Sequence, residues 1–471
     1  MRSFGFLLII FFFQCKALSF NNPSDLNTNA FLETQLLRCM IEDRDCWEIP
    51  QDNQGVKQWT RLLGQAGGYE TWSQSNIAER NGFVYSSGTT TGSLLNQPRV
   101  SPTTDYNDVF VAKYDRDGNI NFIKQMGSTA ISNTYAEVIH LDAFGDLYAV
   151  GSSNSPFNEL PAVGAGSLLI KLNSSGNVIW TRIFPTGSET LGSGVTTDPE
   201  GNVYITGNTE ESTINGETSG GGRKIFVFKY GRNGEFIWSR LIGGTNFEAY
   251  GQQIQYDPYS KNILVTGTVA GVGVFLGNTL PGGLTDSFIL SLNTNNGAVK
   301  WVSYLGVSGG TVVTTLRALS VDKKGSVYLV GDVNGNIDNQ TKDGATVQIL
   351  VKYSVEGEKI WTRLLGGGGT SLTNGSQVFA DNAFHIYVTG YTTGNVGGLT
   401  RIGVQDAYLS KYDHMGNLVW IRTSGSSGST LYGRGISSDR YGTLYFSGAT
   451  SGSFDDQTKQ GTYDSFLIQY K

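Results

Sequence analysis

Four aromatic residues recur at one position of the chain's internal pattern, about seven residues before an acidic turn residue. They are Trp72, Tyr135, Tyr250 and Tyr432. Several polar residues stand near this position: Glu137, Gln252, Arg317 and Arg434. Aromatic rings around a concave mouth can stack on sugar rings or hold a peptide, so these eight residues are candidates for a binding face. The alternative is that the rings only fill gaps between repeated structural units.

The residues around the same turns do not indicate catalysis. Positions two and four residues before each turn acid are mostly small or neutral, with one His and no carboxylate. The three His residues, His140, His385 and His414, are not at equivalent places, and we expect them to be packed or on the surface. A metal centre or a general acid and base need converging ionisable groups. We therefore predict no catalytic residue, no metal and no cofactor, and we expect that the protein is not an enzyme.

The candidate residues belong to a repeat that runs through most of the chain. A Gly-x-x-x element leads into an aromatic residue every 58 to 63 residues: Trp59, Phe122, Trp180, Trp238, Trp301, Trp361 and Trp420. In phase with it come a turn and strand of the type DPEGNVYITG and a further strand of the type DAYLSKYD. Each repeat therefore predicts four short strands with period-two apolar patterning and two tight turns.

Four strands and two tight turns describe one blade of a β-propeller. A lone blade cannot bury its two faces, whereas a ring of blades covers both. Seven repeats therefore predict an all-β fold, a single seven-bladed β-propeller of four-stranded blades over residues 55–471. The last repeat ends on its third strand, so we expect Val56–Leu63 to complete that blade by pairing with Ser465–Tyr470 and to close the ring.

The pattern W-x-R-x-x-G-G, then D-x-x-G-N-V-Y-x-x-G-x-T, then D-x-F-x-x-K-Y/L resembles the bacterial β-propeller repeat called SBBP over Val56–Lys471. The resemblance implies a secreted or envelope-exposed propeller and no particular activity. The Gly-x-x-x-Trp element is similar to the tryptophan docking motif of quinoprotein dehydrogenases, although the Thr that precedes that motif is absent here. A quinoprotein-like or glycan-processing enzyme and a purely structural surface protein are therefore the alternatives to a binding protein.

The N-terminus has the pattern of an export signal. Arg2 precedes the apolar run Phe4–Phe13, which is too short to span a membrane, and residues 1–14 are read as a signal peptide. Cys15 in FFFQCK resembles the relaxed lipobox of spirochaete lipoproteins, which implies a lipid on Cys15. The alternative is an ordinary signal peptide and a secreted protein.

Residues 15–54 are expected to be a tether that holds one or two helical turns. Cys39 and Cys46 are seven residues apart, so in one continuous helix their Cα atoms would be about 10 Å from each other, too far for a disulfide. A disulfide between them requires the helix to end before Cys46. Whether the two residues pair is left open.

Composition and loop lengths set the expected partners. The net charge is -6 and the pI about 5.3, without a cluster of basic residues, so we expect no nucleic acid partner. Tight turns should all fall on one face of the ring, and long connections such as 89–107, 208–223, 365–375 and 449–463 on the other, where binding usually resides. We predict a monomeric interaction module of the cell envelope, lipid-anchored in the outer membrane, whose long-loop face binds an unidentified protein or glycan.

Overall fold

The structure is a computed structural model that describes residues 52–130, 133–153, 157, 166–184, 189–220, 222–244, 247–271 and 273–471. The predicted signal peptide, Cys15, Cys39 and Cys46 lie outside the described residues, as does nearly all of the predicted tether. None of the described residues forms a helix of the length and hydropathy needed to cross a membrane.

The described residues form seven four-stranded antiparallel sheets, which are the blades of one ring. From the inner to the outer strand, they are β2 (Thr71–Ala78), β3 (Val84–Thr90), β4 (Asp108–Tyr114) and β5 (Ile120–Met126) in blade 1; β6 (Thr134–Leu141), β7 (Leu147–Ser153), β8 (Gly166–Leu172) and β9 (Val178–Phe184) in blade 2; β10 (Thr190–Thr197), β11 (Val203–Thr209), β14 (Lys224–Tyr230) and β15 (Phe236–Ile242) in blade 3; β16 (Phe247–Asp257), β17 (Asn262–Gly271), β20 (Thr285–Asn293) and β21 (Val299–Leu305) in blade 4; β22 (Thr314–Val321), β23 (Val327–Val333), β24 (Val347–Tyr353) and β25 (Lys359–Leu365) in blade 5; β26 (Thr373–Ala380), β27 (Ile386–Thr392), β28 (Asp406–Tyr412) and β29 (Leu418–Ser424) in blade 6; and β30 (Leu431–Ser438), β31 (Leu444–Thr450), β32 (Asp464–Tyr470) and β1 (Lys57–Leu63) in blade 7. Two short hairpins, β12 (Thr213–Ile214) with β13 (Glu217–Thr218) and β18 (Val274–Phe275) with β19 (Asn278–Thr279), lie in the long connections of blades 3 and 4. The predicted seven-bladed propeller is confirmed.

The hydrophobic core lies between the blades. Each apolar cluster joins two neighbouring blades, and the clusters follow one another around the whole ring. The second and third strands of blade 1, β3 and β4, are buried along their full length because a neighbouring blade covers each face. A ring of this kind has no uncovered sheet face, so every blade is stabilised by its two neighbours.

The ring closes where the sequence predicts. β1 pairs antiparallel with β32, with Thr60 opposite Ile468 and Leu63 opposite Ser465. Val56 and Lys471 exchange two backbone hydrogen bonds of 2.7 and 2.9 Å. Blade 7 is therefore built from two segments that are about four hundred residues apart in sequence, and they hold the ring shut.

A Trp and an Arg two residues apart on the outer strand of one blade donate hydrogen bonds to the outer turn of the next blade. In blade 5, Trp361 Nε1 donates to the carbonyl of His414 at 3.4 Å. Arg363 donates to the carbonyls of Met415 at 2.7 Å and Gly416 at 3.1 Å. Trp361 and Arg363 are half-buried, and they join the outer strand of one blade to the turn of the next.

The segment before β1 receives the same kind of hydrogen bonds from blade 6. Trp420 Nε1 donates to the carbonyl of Asn53 at 3.1 Å, and Arg422 donates to those of Gln54 and Gly55 at 2.9 and 3.0 Å. Gly55 has a φ of +70°, close to the +81° of Gly416 in the intact turn. Residues Asp52–Gly55, DNQG, thus take the place of the outer Asp-x-x-Gly turn that blade 7 lacks, because its last two strands are not consecutive.

In the inner turns on the tight-turn face, the carboxylate of the first turn residue accepts hydrogen bonds from backbone N–H groups of the same turn. Asp142 Oδ1 accepts hydrogen bonds from the backbone N–H groups of Phe144 and Asp146, both at 2.9 Å, and these two bonds close the turn. Its other oxygen accepts from the hydroxyl of Tyr148, which stands six residues later and is fully buried. The Asp-x-x-Gly-x-x-Tyr pattern of the sequence is therefore a turn and a core residue in one unit.

Candidate functional site

Every inner strand carries a β-bulge at the same place, five residues before its turn acid. All seven bulged residues are polar: Gln74, Glu137, Ser193, Gln252, Arg317, Ser376 and Arg434. A bulge puts an extra residue into a strand and re-aims its side chain. These residues, here called the bulge ring, are partly or fully exposed while their neighbours on both sides are mostly buried. They line the upper part of the central channel, towards the long-loop face.

Below the bulge ring the inner strands line a cavity of about 350 Å³ to which all seven blades contribute. Its polar groups join one blade to the next. The Ser320 hydroxyl accepts from the backbone N–H of Ala380 at 2.9 Å, and the Gln253 side chain accepts from that of Leu319 at 2.7 Å. Burial lowers the pKa of His140 to about 4, so the imidazole is neutral at pH 7. This part of the channel is therefore a neutral structural lining.

Four aromatic rings from three adjacent blades meet at the long-loop end of the channel. Trp72 of blade 1 lies against Tyr463 and Tyr432 of blade 7, with ring centroids 4.4 and 5.2 Å apart. Tyr432 also meets Tyr391 of blade 6 edge to face at 5.1 Å. All four side chains are half-buried. We call Trp72, Tyr391, Tyr432 and Tyr463 the aromatic mouth.

Arg434 of the bulge ring lies directly beneath the aromatic mouth. Its guanidinium is 5.8 Å from the ring of Tyr432 and 6.0 Å from that of Tyr391. The Nε atom is buried and has no hydrogen-bond partner among the described residues. Arg434 is thus held in place by two rings, and its N–H donors are not used within the described protein.

Glu137 of blade 2 is a carboxylate whose charge interacts with that of Arg434. Its side chain is open to the channel yet surrounded by protein, and this burial raises the pKa of Glu137, while the positive charge of Arg434 opposes the rise. The two groups are not within ion-pair distance among the described contacts, so Glu137 influences Arg434 without neutralising it. The mouth is bordered by a second carboxylate, Glu70, which accepts from Trp72 Nε1 at 3.1 Å.

The other predicted site residues lie elsewhere around the channel. Tyr250 of blade 4 donates to Glu248 at 2.6 Å and stacks 5.6 Å from Arg223, which is itself paired with Glu189 and Glu210 at 2.7 Å. Arg317 of blade 5 is paired with Asp332 at 2.9 Å. Tyr135 and Gln252 are half-buried on β6 and β16, and neither has a contact with the aromatic mouth among the described residues. The structure therefore brings together Trp72, Tyr432 and Arg434 from the predicted set of eight. Glu137 acts on Arg434 only through its charge.

The sequence reasoning missed Tyr391 and Tyr463. Tyr391 follows the glycine of a second strand, where the other blades have Thr89, Ser152, Asn208, Thr268, Asp332 and Ala449. A comparison of the repeats at that position would have marked Tyr391 and Asp332 as unusual. Tyr463 lies in the loop before β32, and it reaches the mouth through a bridge with Glu70 of the next blade. No repeat landmark covers that loop.

No group of three or more His, Cys, Asp or Glu side chains that could hold a metal ion occurs in the part of the chain that the structure describes. The polar groups at the mouth are instead two carboxylates, one guanidinium and the amide and hydroxyl groups of the bulge ring. Such groups can donate to and accept from a polar ligand that lies against the aromatic rings.

Comparisons with known proteins place this architecture among propellers. Residues 179–212, about the length of half a blade, match the sequence model of the SBBP β-propeller repeat. An uncharacterized WD repeat-containing protein, L264, of Acanthamoeba polyphaga mimivirus is 22% identical over 422 residues, which cover 69% of this chain and 30% of that protein. The chain thus spans under a third of that relative's length. The match to the SBBP repeat agrees with the resemblance expected from the sequence over that stretch.

The solved structures that resemble this chain have low sequence identity to it. The WD40 repeats of RRP9 are 10% identical with a TM-score of 0.49, over 89% of this chain and all of that one. A PL25 ulvan lyase, a polysaccharide lyase, is 13% identical with a TM-score of 0.49, over 86% of this chain and 95% of that one. At these identities and TM-scores the likeness assigns neither an activity nor a ligand to this chain.

The lyase structures correct the prediction that the protein is not an enzyme. That prediction rested on the absence of converging ionisable groups two and four residues before the turn acids. It is contradicted, since polysaccharide lyases are among the solved structures that resemble this chain. The physical reason is visible in the inner strands. The bulge five residues before each turn acid brings Glu137, Arg317 and Arg434 to the channel, where strict alternation would bury them.

Proposed function

We propose that the protein binds a saccharide at the aromatic mouth, with the bulge ring below it supplying hydrogen bonds. The observation that carries this proposal is the convergence of four half-exposed rings from blades 6, 7 and 1 at a channel lined by polar side chains. Tyr85, Tyr148 and Tyr328 are fully buried between blades and leave no surface for a ligand, whereas the four rings of the aromatic mouth keep part of their surface exposed.

The chemistry of the mouth favours a sugar over an apolar peptide. A pyranose ring has apolar C–H faces that stack on Trp and Tyr, and a rim of hydroxyls that need donors and acceptors. Here the rings are bordered by carboxylates, amides and a guanidinium within one concave surface. A peptide anchor would instead need a deep apolar pocket, whereas the four rings of the aromatic mouth are partly exposed and border polar groups.

We also propose that the propeller is exported and attached to the cell envelope through a lipid on Cys15. Support comes from the apolar run Phe4–Phe13 followed by FFFQCK. Replacing Cys15 by Ser should abolish labelling with a tagged fatty acid and move the protein to the soluble fraction. Unchanged membrane fractionation would refute the anchor without touching the binding proposal.

A glycan-array screen of the purified propeller tests the binding proposal. We expect a set of related saccharides to bind, and Trp72→Ala to weaken them at least about tenfold, about 1.4 kcal/mol. Tyr250→Ala is the matched control, because Tyr250 occupies the same strand position in blade 4 outside the aromatic mouth. Hits that are indifferent to Trp72→Ala, or no hits at all, would reject the proposal.

A further inference from the structure

We propose that the aromatic mouth selects saccharides that carry an acidic group, a carboxylate or a sulfate ester, and that Arg434 binds that group. This inference rests on the proposed saccharide site and adds its ligand class. The bulge ring contains two arginines, Arg317 and Arg434, whose surroundings differ.

Arg317 and Arg434 occupy the same position in two blades, and only one has a built-in partner. Arg317 pairs with Asp332, which lies on the second strand of blade 5 opposite Thr315. The equivalent residue of blade 7, opposite Tyr432, is Ala449. The carboxylate that neutralises the first arginine is therefore missing beside the second.

No other group in the described chain takes that role. Arg434 makes no side-chain hydrogen bond or ion pair within the described residues, and its Nε atom is buried. Leaving a half-buried guanidinium without a counter-charge is unfavourable, and the penalty falls when an anion completes the pair. Glu137 supplies only a distant negative charge.

The guanidinium is also pre-arranged for a ligand. The rings of Tyr391 and Tyr432 lie about 6 Å from its central carbon and restrict its motion. A guanidinium is planar and donates two parallel hydrogen bonds to a carboxylate or a sulfate. A sugar stacked on Trp72 or Tyr432 would place its acidic substituent next to these donors, because Arg434 lies two residues from Tyr432 on the same strand.

Calorimetric titrations with three oligosaccharides of equal length test the inference: a galactose oligomer, a galacturonate oligomer and a sulfated galactose oligomer. The wild type should bind one or both acidic oligomers at least about tenfold more tightly than the neutral one. Arg434→Gln should remove this preference. Ala449→Asp should do the same by giving Arg434 an internal partner, and Arg317→Gln is the control that should leave the preference intact.

The carboxylate and the sulfate are distinguished by which acidic oligomer shows the preference. Equal binding of neutral and acidic oligomers, or a preference unchanged in both Arg434→Gln and Ala449→Asp, would overturn the inference and leave the saccharide site standing. Failure of all three oligomers together with an empty glycan array would overturn the site itself. Melting temperatures of the variants within a few degrees of the wild type confirm that a lost preference is not lost folding.

Discussion

The indole nitrogen of Trp420 donates a 3.1 Å hydrogen bond to the carbonyl oxygen of Asn53, although the two residues are 367 positions apart in sequence. In blade 5 the same bond runs from Trp361 to the outer turn of blade 6. The segment before β1 therefore makes the contacts that an outer hairpin turn makes in the other blades. The ring is closed by these side-chain hydrogen bonds as well as by the pairing of β1 with β32.

The contacts of Trp420 and Arg422 with the segment before β1 predict that Gly55→Ala destabilises the propeller more than a glycine substitution in an inner turn without such contacts. A Cβ at residue 55 would lie 3.2 Å from the ring of Trp420 and from Arg422 Nε, in addition to the left-handed strain of about 1 kcal/mol. Gly145→Ala is the control, because Gly145 has a φ of +86° and its new methyl group would have no heavy atom of a non-adjacent residue within 4 Å. Urea unfolding should show the larger loss of unfolding free energy for Gly55→Ala. Equal losses would contradict a stabilising role for the contacts of Trp420 and Arg422 with this segment.

His140 predicts a loss of stability in mild acid. Its folded pKa of about 4 lies below the ordinary value of 6.5, so the unfolded chain binds a proton more readily in this range. The free energy of unfolding is therefore unaffected by protonation of His140 above pH 6.5. It decreases as the pH falls towards 4, by at most about 3 kcal/mol. The melting temperature of the wild type should fall more steeply between pH 6.5 and 4 than that of His140→Gln. Parallel curves would show that the imidazole is protonated without cost.

Glu137 predicts that the affinity for a sulfated oligosaccharide rises as the solution becomes more acidic. Burial raises the pKa of Glu137, so it loses its charge at a higher pH than an ordinary glutamate. A sulfate ester stays ionised in this range, and loss of the Glu137 charge removes a repulsion beside Arg434. Titrations from pH 7 to pH 4.5 should show the increase in the wild type. Glu137→Gln should bind tightly at both ends, and a wild-type affinity independent of pH would refute the role of Glu137.

The repeat landmarks made the propeller predictable, since each Gly-x-x-x-Trp and Asp-x-x-Gly element marks a turn whose strands have only one way to pair. Counting strands per repeat also predicted that the last repeat lacks its fourth strand, and β1 supplies that strand in blade 7. The turn formed by Asp52–Gly55 was not foreseen, because DNQG is polar and follows a segment read as a tether. It becomes recognisable only once Trp420 and Arg422 are seen to hold it.

The candidate site was predictable in part. Trp72 and Tyr432 were found by their common distance from the turn, and the structure joins them. Tyr250 shares that distance but contacts Glu248 and Arg223. The distance from the turn predicts where a residue lies along its inner strand, but it does not predict which side chains of other segments surround it. The bulge could not be derived from period-two alternation, which places Arg434 in the blade interface. That one extra residue places Arg434, which was already a candidate for the binding face, in the polar lining of the channel.

The dissociation constant of the tightest glycan-array hit, measured by calorimetry for the wild type and for Tyr432→Ala and Tyr250→Ala, tests the central claim most directly. Tyr432 contacts Trp72, Tyr391 and Tyr463, so its loss should weaken binding at least about tenfold, while Tyr250→Ala should change it less than about twofold. Equal losses in both variants, or a loss in Tyr250→Ala alone, would contradict a saccharide site at the aromatic mouth.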